Sequence, residues 1–373
     1  MVAKTQATGP LVGVRVIELA GIGPAPFAAM MLAELGADVV RVDRPGAASP
    51  IPTDPHFDLL NRGKRSIALD LKQPADLTTL RSLIARAGVL VEGYRPGVAE
   101  RLGVGPDACH RSLVYGRMTG WGQDGPLAST AGHDITYIAA TGALDAIGSA
   151  DGRPQPPLNL VGDFGGGALY LVVGILAALR HAEATGQGQV VDAAIVDGTA
   201  HLTTMMHAAL ACGEWEGERG HNLLDSGAAQ YDTYATADDR YLAVGSLEPK
   251  FFAELVRVLG VADRLPAPPE RDDWDAAHAL IAAAFRTRTR DAWVEAFAGT
   301  DACVEPVLTF AEAPSHPHLA ARGTFAERDG VVQPAPAPRF SRTPTALSSA
   351  PPMPGQDTDE VLRDWGVRLR RVA

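Results

Sequence analysis

The sequence predicts an α/β protein with a large parallel-sheet domain and a smaller α+β domain. Strand-like and helix-like runs alternate through residues 1–200, which is typical of a parallel sheet. A hairpin pattern replaces this alternation after residue 230. The chain has 373 residues, of which 46% are hydrophobic, and this length allows two separate cores. We therefore place the large domain at 1–200, completed by 335–373, a connecting segment at 201–230 and the small domain at 231–334.

The first β-α-β unit indicates how the sheet begins. Residues 14–19 form a predicted buried strand, residues 25–35 a helix and residues 38–43 a second strand. Strands joined by a crossover helix are expected to be parallel. The turn before the helix reads GIGPAP, with proline where a dinucleotide fingerprint needs its third glycine. This departure argues against a nicotinamide cofactor.

The same alternation continues and places cations at the ends of strands. The further predicted strands are 66–71, 89–92, 113–118 and 189–194, and the helices are 75–85, 133–146, 168–180 and 197–211. Arg44, Lys72 and Arg95 each follow a predicted strand. Because ligands bind at the carboxyl edge of such sheets, three cations there indicate a polyanionic ligand. Ordinary solvated side chains are the alternative interpretation.

Asp163 is the candidate catalytic carboxylate of this region. It interrupts the apolar stretch LNLVGDFGGG at 158–167 and comes directly before the predicted helix 168–180. Main-chain N–H groups at a helix start are free, so an oxyanion next to Asp163 would meet donors. A simple N-cap is the alternative role for this carboxylate. His133 likewise lies at a predicted helix start, and a hydrogen-bonded structural role is its alternative.

The remaining sequence predicts the small domain and a C-terminal segment. Strands at 231–234 and 241–245 flank Asp238 and Asp239, which indicates a hairpin. Further elements are predicted as helices at 250–259, 274–285 and 290–297, a strand at 303–308, an extended proline-rich segment at 334–355 and a final helix at 357–370.

Composition argues against several classes of protein. The net charge of −11 disfavours general binding to nucleic acid or to anionic membranes. We see no run that resembles a transmembrane helix, because charges or glycines interrupt the apolar stretches, and no secretory signal in residues 1–10. Cys109, Cys212 and Cys303 are far apart and odd in number, so we expect neither a metal site nor disulfides. A cytoplasmic location is therefore expected.

The ordered set of motifs resembles that of the α-methylacyl-CoA racemases, a branch of the family III CoA transferases. Each motif is weak alone, but their order is specific and covers nearly the whole chain. The matching stretches are 16–24, 35–45, 92–97, 118–123, 132–135, the Asp163 stretch, 188–194, 231–234, 248–249 and 338–341.

The resemblance implies a racemase of branched-chain acyl-CoA metabolism that exchanges the α-proton of a 2-methylacyl-CoA thioester. It implies His133 and Asp163 as the acid/base pair, with Glu248 as a carboxylate near the histidine. It further implies an interlocked homodimer with a Rossmann-like large domain that holds CoA, which is part of the substrate, and no separate cofactor. The residues that match CoA-contacting positions are Ile22, Arg44, Leu69, Asp70, Leu71, Lys72, Val89, Leu90, Arg95, Met118, Gly132, Asp134 and Tyr137.

The chemistry of racemisation agrees with this pair of residues. Inverting a carbon next to a thioester requires a base on each face of a planar enolate and donors for its oxygen. A neutral imidazole and a carboxylate supply two such bases. One alternative is a CoA transferase in which Asp163 is the nucleophile and forms an acyl anhydride. The Gly-His-Asp sequence around His133 favours the racemase. A non-catalytic CoA-binding protein is the second alternative.

Overall fold

The computed structural model describes residues 8–46 and 54–368. The chain divides into two compact units. The large unit comprises 1–141, 158–202 and 321–373, and the small unit comprises 142–157 and 203–320. The predicted large domain includes 142–157 and the predicted small domain includes 321–334, whereas this division assigns each segment to the other unit. The predicted domain boundaries stay a prediction.

The large unit contains a parallel six-stranded sheet, which confirms the predicted α/β fold. Its strands are β1 (Arg15–Leu19), β2 (Asp38–Asp43), β3 (Arg65–Ala68), β4 (Val89–Glu92), β5 (Val114–Thr119) and β6 (Val190–Ala194). Their order is β3-β2-β1-β4-β5-β6, and every neighbouring pair is parallel. The chain therefore extends outward from β1 in one direction and from β4 in the other. The crevice between β1 and β4 is where such sheets bind ligands.

Helices connect these strands. They are α1 (Pro24–Glu34), α2 (Pro74–Ile84), α3 (Val98–Arg101), α4 (Asp134–Ala140), α5 (Leu169–Thr185) and α6 (Ile195–Leu202). A π-helical segment, Leu160–Ala168, runs directly into α5, and short 3-10 helices occur at Pro55–Phe57, Leu59–Asn61 and Pro106–Ala108. The helix predicted over 133–146 is shorter because the chain turns at Gly142, which has a φ of 83°.

The sheet separates two hydrophobic cores. Successive side chains of a strand point to opposite faces, so Val16 belongs to one core and Ile17 to the other. The first core packs α1 and α5 against the sheet through residues such as Leu32 and Leu171. The second core uses α2, for example Leu80. Both faces are covered, which explains why the central strands β1 and β4 are mostly apolar.

The longest helix corrects one prediction from the sequence. Leu160–Thr185 spans 26 residues with a mean hydropathy of 1.8, so its length and composition would allow it to cross a membrane. The expectation that no run resembles a transmembrane helix was therefore wrong. Glycines within the segment had been taken as interruptions, although an α-helix tolerates them. One side of this helix, including Leu171 and Ile175, packs into the first core of the large unit.

The small unit is built on an antiparallel sheet. Its strands are β7 (Tyr231–Ala235), β8 (Tyr241–Gly245) and β9 (Val304–Pro306), in that order. Its helices are α7 (Thr204–Cys212), α8 (Pro249–Leu259), α9 (Trp274–Phe285) and α10 (Arg290–Phe297), with 3-10 helices at Arg271–Asp273 and Ala313–Ser315. The helix predicted over 197–211 is two helices, since α6 ends at Leu202 and α7 begins at Thr204.

The C-terminal part of the chain leads back to the large unit. Helix α11 (Pro317–Arg322) precedes a hairpin of β10 (Phe325–Arg328) and β11 (Val331–Pro334), which the sequence analysis did not predict. The proline-rich stretch that follows is irregular, as predicted, and Ser349 accepts a hydrogen bond from Gly63. Helix α12 (Thr358–Asp364) follows, and Trp365, directly after it, is part of the second core. The last two residues predicted for this helix lie outside the described residues.

Candidate active site

A cavity of about 620 Å³ opens at the carboxyl ends of β1, β4 and β5 in the large unit. Its walls come from the turns after these strands, from the start of α4 and from the π-helical segment. His133 and Asp163 both line it. The structure therefore brings the two predicted bases, 30 positions apart in the sequence, to one cavity at the ligand-binding edge of the sheet.

His133 is held through its main chain at the beginning of α4. It is the residue directly before the helix and has an extended backbone conformation. The hydroxyl of Thr136 accepts a hydrogen bond from the N–H of His133 at 3.0 Å and donates one to its carbonyl at 2.7 Å. These two bonds fix the main chain at His133, and the residue lines the cavity.

Asp163 lies within the π-helical segment and is partly buried. Burial is the largest influence and raises the pKa of its carboxyl group. Asn159 donates a hydrogen bond to Oδ2 at 3.4 Å and acts in the opposite direction, the charge of Asp134 raises the pKa further, and His133 lowers it. The net shift is upward. A raised pKa makes a carboxyl group a better proton acceptor when ionised and makes its protonated form more accessible as a donor.

One prediction about Asp163 was wrong. The helical segment begins at Leu160, so Asp163 does not stand at its start. The N–H of Asp163 donates to Oδ2 of Asp134 at 2.7 Å and is not free to bind an oxyanion. The sequence analysis assumed a regular helix starting at Ala168. It could not detect the π-helical turns or a carboxylate that reaches them from α4.

Tyr137 and Arg95 complete the polar lining of the cavity. A Cβ atom at Gly120 or at Gly132 would overlap the Tyr137 ring, and Trp121 meets that ring edge-on at 5.0 Å between centroids. Burial raises the pKa of Tyr137, the charge of Asp163 raises it further and Arg95 lowers it. The Tyr137 ring is thus fixed by its neighbours, and both a carboxylate and a cation influence the pKa of its hydroxyl group.

A buried charge cluster supports the turn that forms one wall. Glu18 of β1 pairs with Lys64 at 2.6 Å and with Arg41 at 2.9 Å, and all three side chains are at most 12% exposed. Arg41 donates to the carbonyl of Gly21 at 3.4 Å, and Lys64 donates to the carbonyl of Pro26 at 3.0 Å. The cluster therefore holds both ends of the turn that carries Gly23 against Asp163. A Cβ at Gly23, where φ is 67°, would lie 3.1 Å from the carboxylate.

A second buried carboxylate supports the turn that carries Arg95. Glu92 accepts the N–H of Tyr94 at 2.6 Å and the Nε of Arg117 at 3.1 Å. Arg117 also bonds Glu100 at 2.6 Å. Burial is the main influence on Glu92 and raises its pKa, while these hydrogen bonds act against that shift. This arrangement orients the turn so that Arg95 lines the cavity.

The predicted site residues fall into two groups. Those that line the cavity are Ile22, Arg95, Met118, Gly132, His133, Tyr137 and Asp163. Asp134 lies behind it, because its carboxylate bonds the main chain at Asp163. Arg44 and Lys72 are exposed at the ends of β2 and β3, outside the cavity lining, with Asp70 and Leu71 beside them. Glu248 belongs to the small unit, where it precedes α8.

The side chains of Leu69, Val89 and Leu90 are in the hydrophobic cores and are at most 2% exposed. A buried strand residue has no side-chain atom available to a ligand, so we assign none of these three side chains a CoA contact. Conversely, sequence reasoning missed Asn159, which lines the cavity and bonds Asp163. Its position four residues before Asp163, one helical turn away, was the available signal.

The cavity residues include no metal-like cluster. Within 8–46 and 54–368, no group of three His, Cys, Asp or Glu side chains is arranged to hold a metal ion. The titratable and charged residues that we consider for action on a substrate there are His133, Asp163, Tyr137 and Arg95.

Comparison with known proteins agrees with the motif resemblance. The model of CoA-transferase family III matches residues 11–358, so the chain belongs to this family. The chain is 45% identical over 366 residues to the α-methylacyl-CoA racemase of Mus musculus, covering 96% of this chain and 94% of that protein. It is 44% identical over 368 residues to the Homo sapiens racemase, covering 97% and 95%.

A transferase and a solved structure are more distant matches. Identity to the succinyl-CoA:glutarate CoA-transferase of Homo sapiens is 26% over 378 residues, covering 95% of this chain and 86% of that protein. The crystal structure of a CAIB/BAIF family protein from Brucella suis superposes with a TM-score of 0.83 at 27% identity, covering 96% of this chain and all of that one.

Proposed function

We propose that this member of CoA-transferase family III is a racemase that interconverts the (R) and (S) forms of 2-methylacyl-CoA thioesters. The observation that carries this proposal is the presence of His133 and Asp163 on one cavity. The relatives named as racemases are 44–45% identical to this chain, whereas relatives named as CoA-transferases of defined substrates are 26–30% identical. Both observations favour proton transfer over acyl transfer.

The reaction proceeds by removal and return of one proton at the carbon next to the thioester. Neutral His133 takes the proton of one enantiomer, and the C–H electron pair passes into the enolate. Protonated Asp163 then delivers its proton to the other face, which forms the new C–H bond. In the reverse direction the two residues exchange roles. Burial raises the pKa of the Asp163 carboxyl group, which favours the protonated form that this step uses.

The enolate oxygen requires donors other than the N–H of Asp163, which Asp134 already engages. The first N–H groups of a helix have no intrahelical acceptor. We assign this role to the main chain at the start of α4, next to His133, in place of the donors that the sequence analysis had placed at Asp163.

The remaining parts of the proposal concern the substrate and the assembly. Arg95 contacts an anionic group of CoA at the cavity, with Arg44 and Lys72 as further phosphate contacts. Glu248 acts as a carboxylate partner of the catalytic histidine, from the same or the other subunit. The enzyme is a cytoplasmic homodimer, binds neither nucleic acid nor membranes and needs no cofactor besides the CoA of its substrate. The family resemblance supports the CoA contacts, the role of Glu248, the homodimer and the lack of a separate cofactor. The cysteine pattern supports the location, and the net charge of −11 supports the lack of nucleic-acid and membrane binding.

Deuterium exchange tests the proposed reaction directly. Each enantiomer of a simple 2-methylacyl-CoA is incubated with the enzyme in heavy water, and C2 deuterium and enantiomer ratio are measured by mass spectrometry and chiral separation. We expect deuterium at C2 and the same final mixture from either enantiomer. Absence of exchange from both enantiomers would contradict the proposal and leave thioester binding alone.

A second measurement separates the racemase from a transferase. A transferase forms an acyl anhydride on Asp163 that hydroxylamine traps, and it shows ping-pong kinetics with a carboxylate acceptor. We expect neither, because protons alone are exchanged in the proposed reaction. A trapped hydroxamate at Asp163 together with a lack of C2 exchange would favour the transferase.

A further inference from the structure

We propose that Asp134 is a positioning residue whose carboxylate holds the main chain at Asp163 and so keeps the two bases in register. This inference rests on the proposed racemase function. The CoA contact that the family resemblance implies for Asp134 stays a separate prediction.

The contacts of Asp134 connect the two sides of the site. It directly follows His133, and its Oδ2 accepts the N–H of Asp163 at 2.7 Å. The main chain of Gly162 also lowers the pKa of Asp134, against the larger effect of burial. Asp134 is only 7% exposed. A Cβ at Gly162 would overlap the Asp134 carboxylate, so this close approach requires glycine at that position. One residue is therefore covalently joined to the first base and hydrogen-bonded to the main chain of the second.

The bonds of Asp134 replace the usual cap of the helical segment. Asn159 precedes the π-helical segment and forms no capping hydrogen bond with its side chain. The first N–H groups of a helix need an acceptor when they are buried. Asp134, 29 positions away from Asp163, supplies that acceptor. Without it, the widened turn that carries Asp163 would have unsatisfied donors and no fixed geometry.

The charge of Asp134 also acts on the second base. In the described part of the chain no Lys or Arg pairs with Asp134, and its Oδ1 has no hydrogen-bond partner. Its negative charge therefore raises the pKa of Asp163, after the larger effect of burial. On α4, His133 lowers the pKa of Asp163.

Asp134 and His133 are the charged groups that shift the pKa of Asp163. Other charged residues occur on the elements packed against the π-helical segment: Glu34 on α1, Arg180 and Glu183 on α5, Arg117 on β5 and Asp192 on β6. The titratable tyrosine on α4 is Tyr137, and α6, which packs on the π-helical segment, carries Asp197 and His201, of which His201 bonds the Tyr170 hydroxyl. Asp134 is thus the neighbouring charge that favours the protonated form of Asp163, the form that delivers a proton in one direction.

Two variants separate positioning from charge. Asp134→Ala removes both the acceptor and the charge, and we expect kcat for C2 exchange to fall about 100-fold. Asp134→Asn keeps an acceptor and removes the charge, so we expect a loss of about tenfold. In the direction that uses protonated Asp163, the high-pH decline of kcat should move to lower pH in Asp134→Asn. Asp192→Asn is the control, since Asp192 also accepts a main-chain N–H, from Gln123, but is exposed and lies outside the cavity lining.

A second readout is independent of activity. We expect Asp134→Ala to accelerate amide hydrogen exchange in a peptide covering 160–168, measured by mass spectrometry, and Asp192→Asn to leave it unchanged. If wild-type protein shows this protection but no C2 exchange, the positioning role stands and the proposed function alone is contradicted. The inference is overturned if Asp134→Ala keeps kcat and amide protection within twofold of wild type. It is also overturned if both variants lose activity equally with an unmoved pH profile. If Asp134→Ala does not fold, the pH profile of Asp134→Asn alone provides the test.

Discussion

Buried carboxylates of the large unit occur in two contrasting settings. Glu18 and Glu92, at the ends of β1 and β4, are each paired with arginine, and Glu18 also pairs with Lys64. Asp134 and Asp163 lie next to each other at the cavity and have no Lys or Arg partner among the described residues. Their hydrogen bonds come from main-chain N–H groups and from the amide of Asn159.

The contrast distinguishes carboxylates that support the fold from carboxylates at the site of proton transfer. The paired carboxylates are held in ion pairs, and each supports a turn that lines the cavity. Unpaired carboxylates destabilise the fold when they are ionised, because burial removes their water. This cost is acceptable where a carboxyl group must bind and release a proton. We therefore expect substitutions in the first pair to affect mainly stability and those in the second mainly turnover.

The largest expected effect is the loss of turnover in Asp163→Asn. An amide cannot exchange the proton, so kcat for C2 deuterium exchange should fall about 1,000-fold. Stability should change in the other direction. The folded-state pKa of Asp163 is raised, so its contribution to stability is lost as pH rises through that pKa. Thermal unfolding of the variant at neutral pH should therefore occur at or above the wild-type temperature, with the difference shrinking toward acid pH.

Two comparisons make the Asp163→Asn result interpretable. Asp192→Asn, which removes an exposed carboxylate of β6 outside the cavity lining, should retain wild-type kcat. If Asp163→Asn lowers the unfolding temperature by as much as a substitution at Glu18, the distinction between the two settings fails.

The fold could be predicted largely because its signals are local. Short runs rich in apolar residues located β1, β2 and β4 within one residue at each end. This signal is clear because parallel strands are buried on both faces. The proline and glycine around α1 marked its limits in the same way. The hairpin of β10 and β11 was missed because it lies beside the proline-rich stretch, where the alternation is brief.

The candidate site was only partly predictable. His133 and Asp163 followed from ordered motifs, and the structure places both on one cavity. The bond between Asp134 and Asp163 joins positions 29 apart, and the π-helical geometry has no sequence signature that we used. The pairing of Glu18 with Lys64 is equally non-local, because it depends on the order of strands in the sheet. Such contacts become visible only when the tertiary structure is known.

Glu18→Gln is expected to have the largest effect on stability. It leaves Lys64 buried without its carboxylate, and breaking a buried pair in this way costs about 4 kcal/mol. Urea unfolding followed by circular dichroism measures the change. Turnover of the folded variant should fall less than in Asp163→Asn, because the proton-transferring groups remain. A stability within 1 kcal/mol of wild type would show that the cluster is not a structural support.

The pH dependence of stability tests Lys64 itself. Burial lowers its pKa to about 8, against the opposing effect of Glu18. Between about pH 8 and its unfolded value near 10.4, the unfolded chain holds a proton that the folded protein has released. Stability should therefore gain up to about 3 kcal/mol from this residue as pH rises through that window. Lys64→Met should remove this gain, and the exposed Lys250→Met should not. Identical pH profiles for wild type and Lys64→Met would contradict the assignment.

The smallest expected effect concerns substrate binding at the turn that Glu92 supports. Arg95 lines the cavity, and no described Asp or Glu lies within ion-pair distance of its guanidinium group, so it is available to an anionic group of CoA. Arg95→Ala should raise KM about tenfold with kcat little changed, because the lost contact is equal in ground and transition states. Arg95→Lys should recover part of the affinity through its charge, and Arg101→Ala, an exposed arginine of α3, should leave KM unchanged. Steady-state kinetics at two salt concentrations measures these effects, and the Arg95 contribution should weaken as salt increases. A fall in kcat at constant KM would instead place Arg95 among the groups that stabilise the transition state. The turn that Glu92 supports would then contribute to the reaction itself, and the contrast between paired and unpaired carboxylates would need revision.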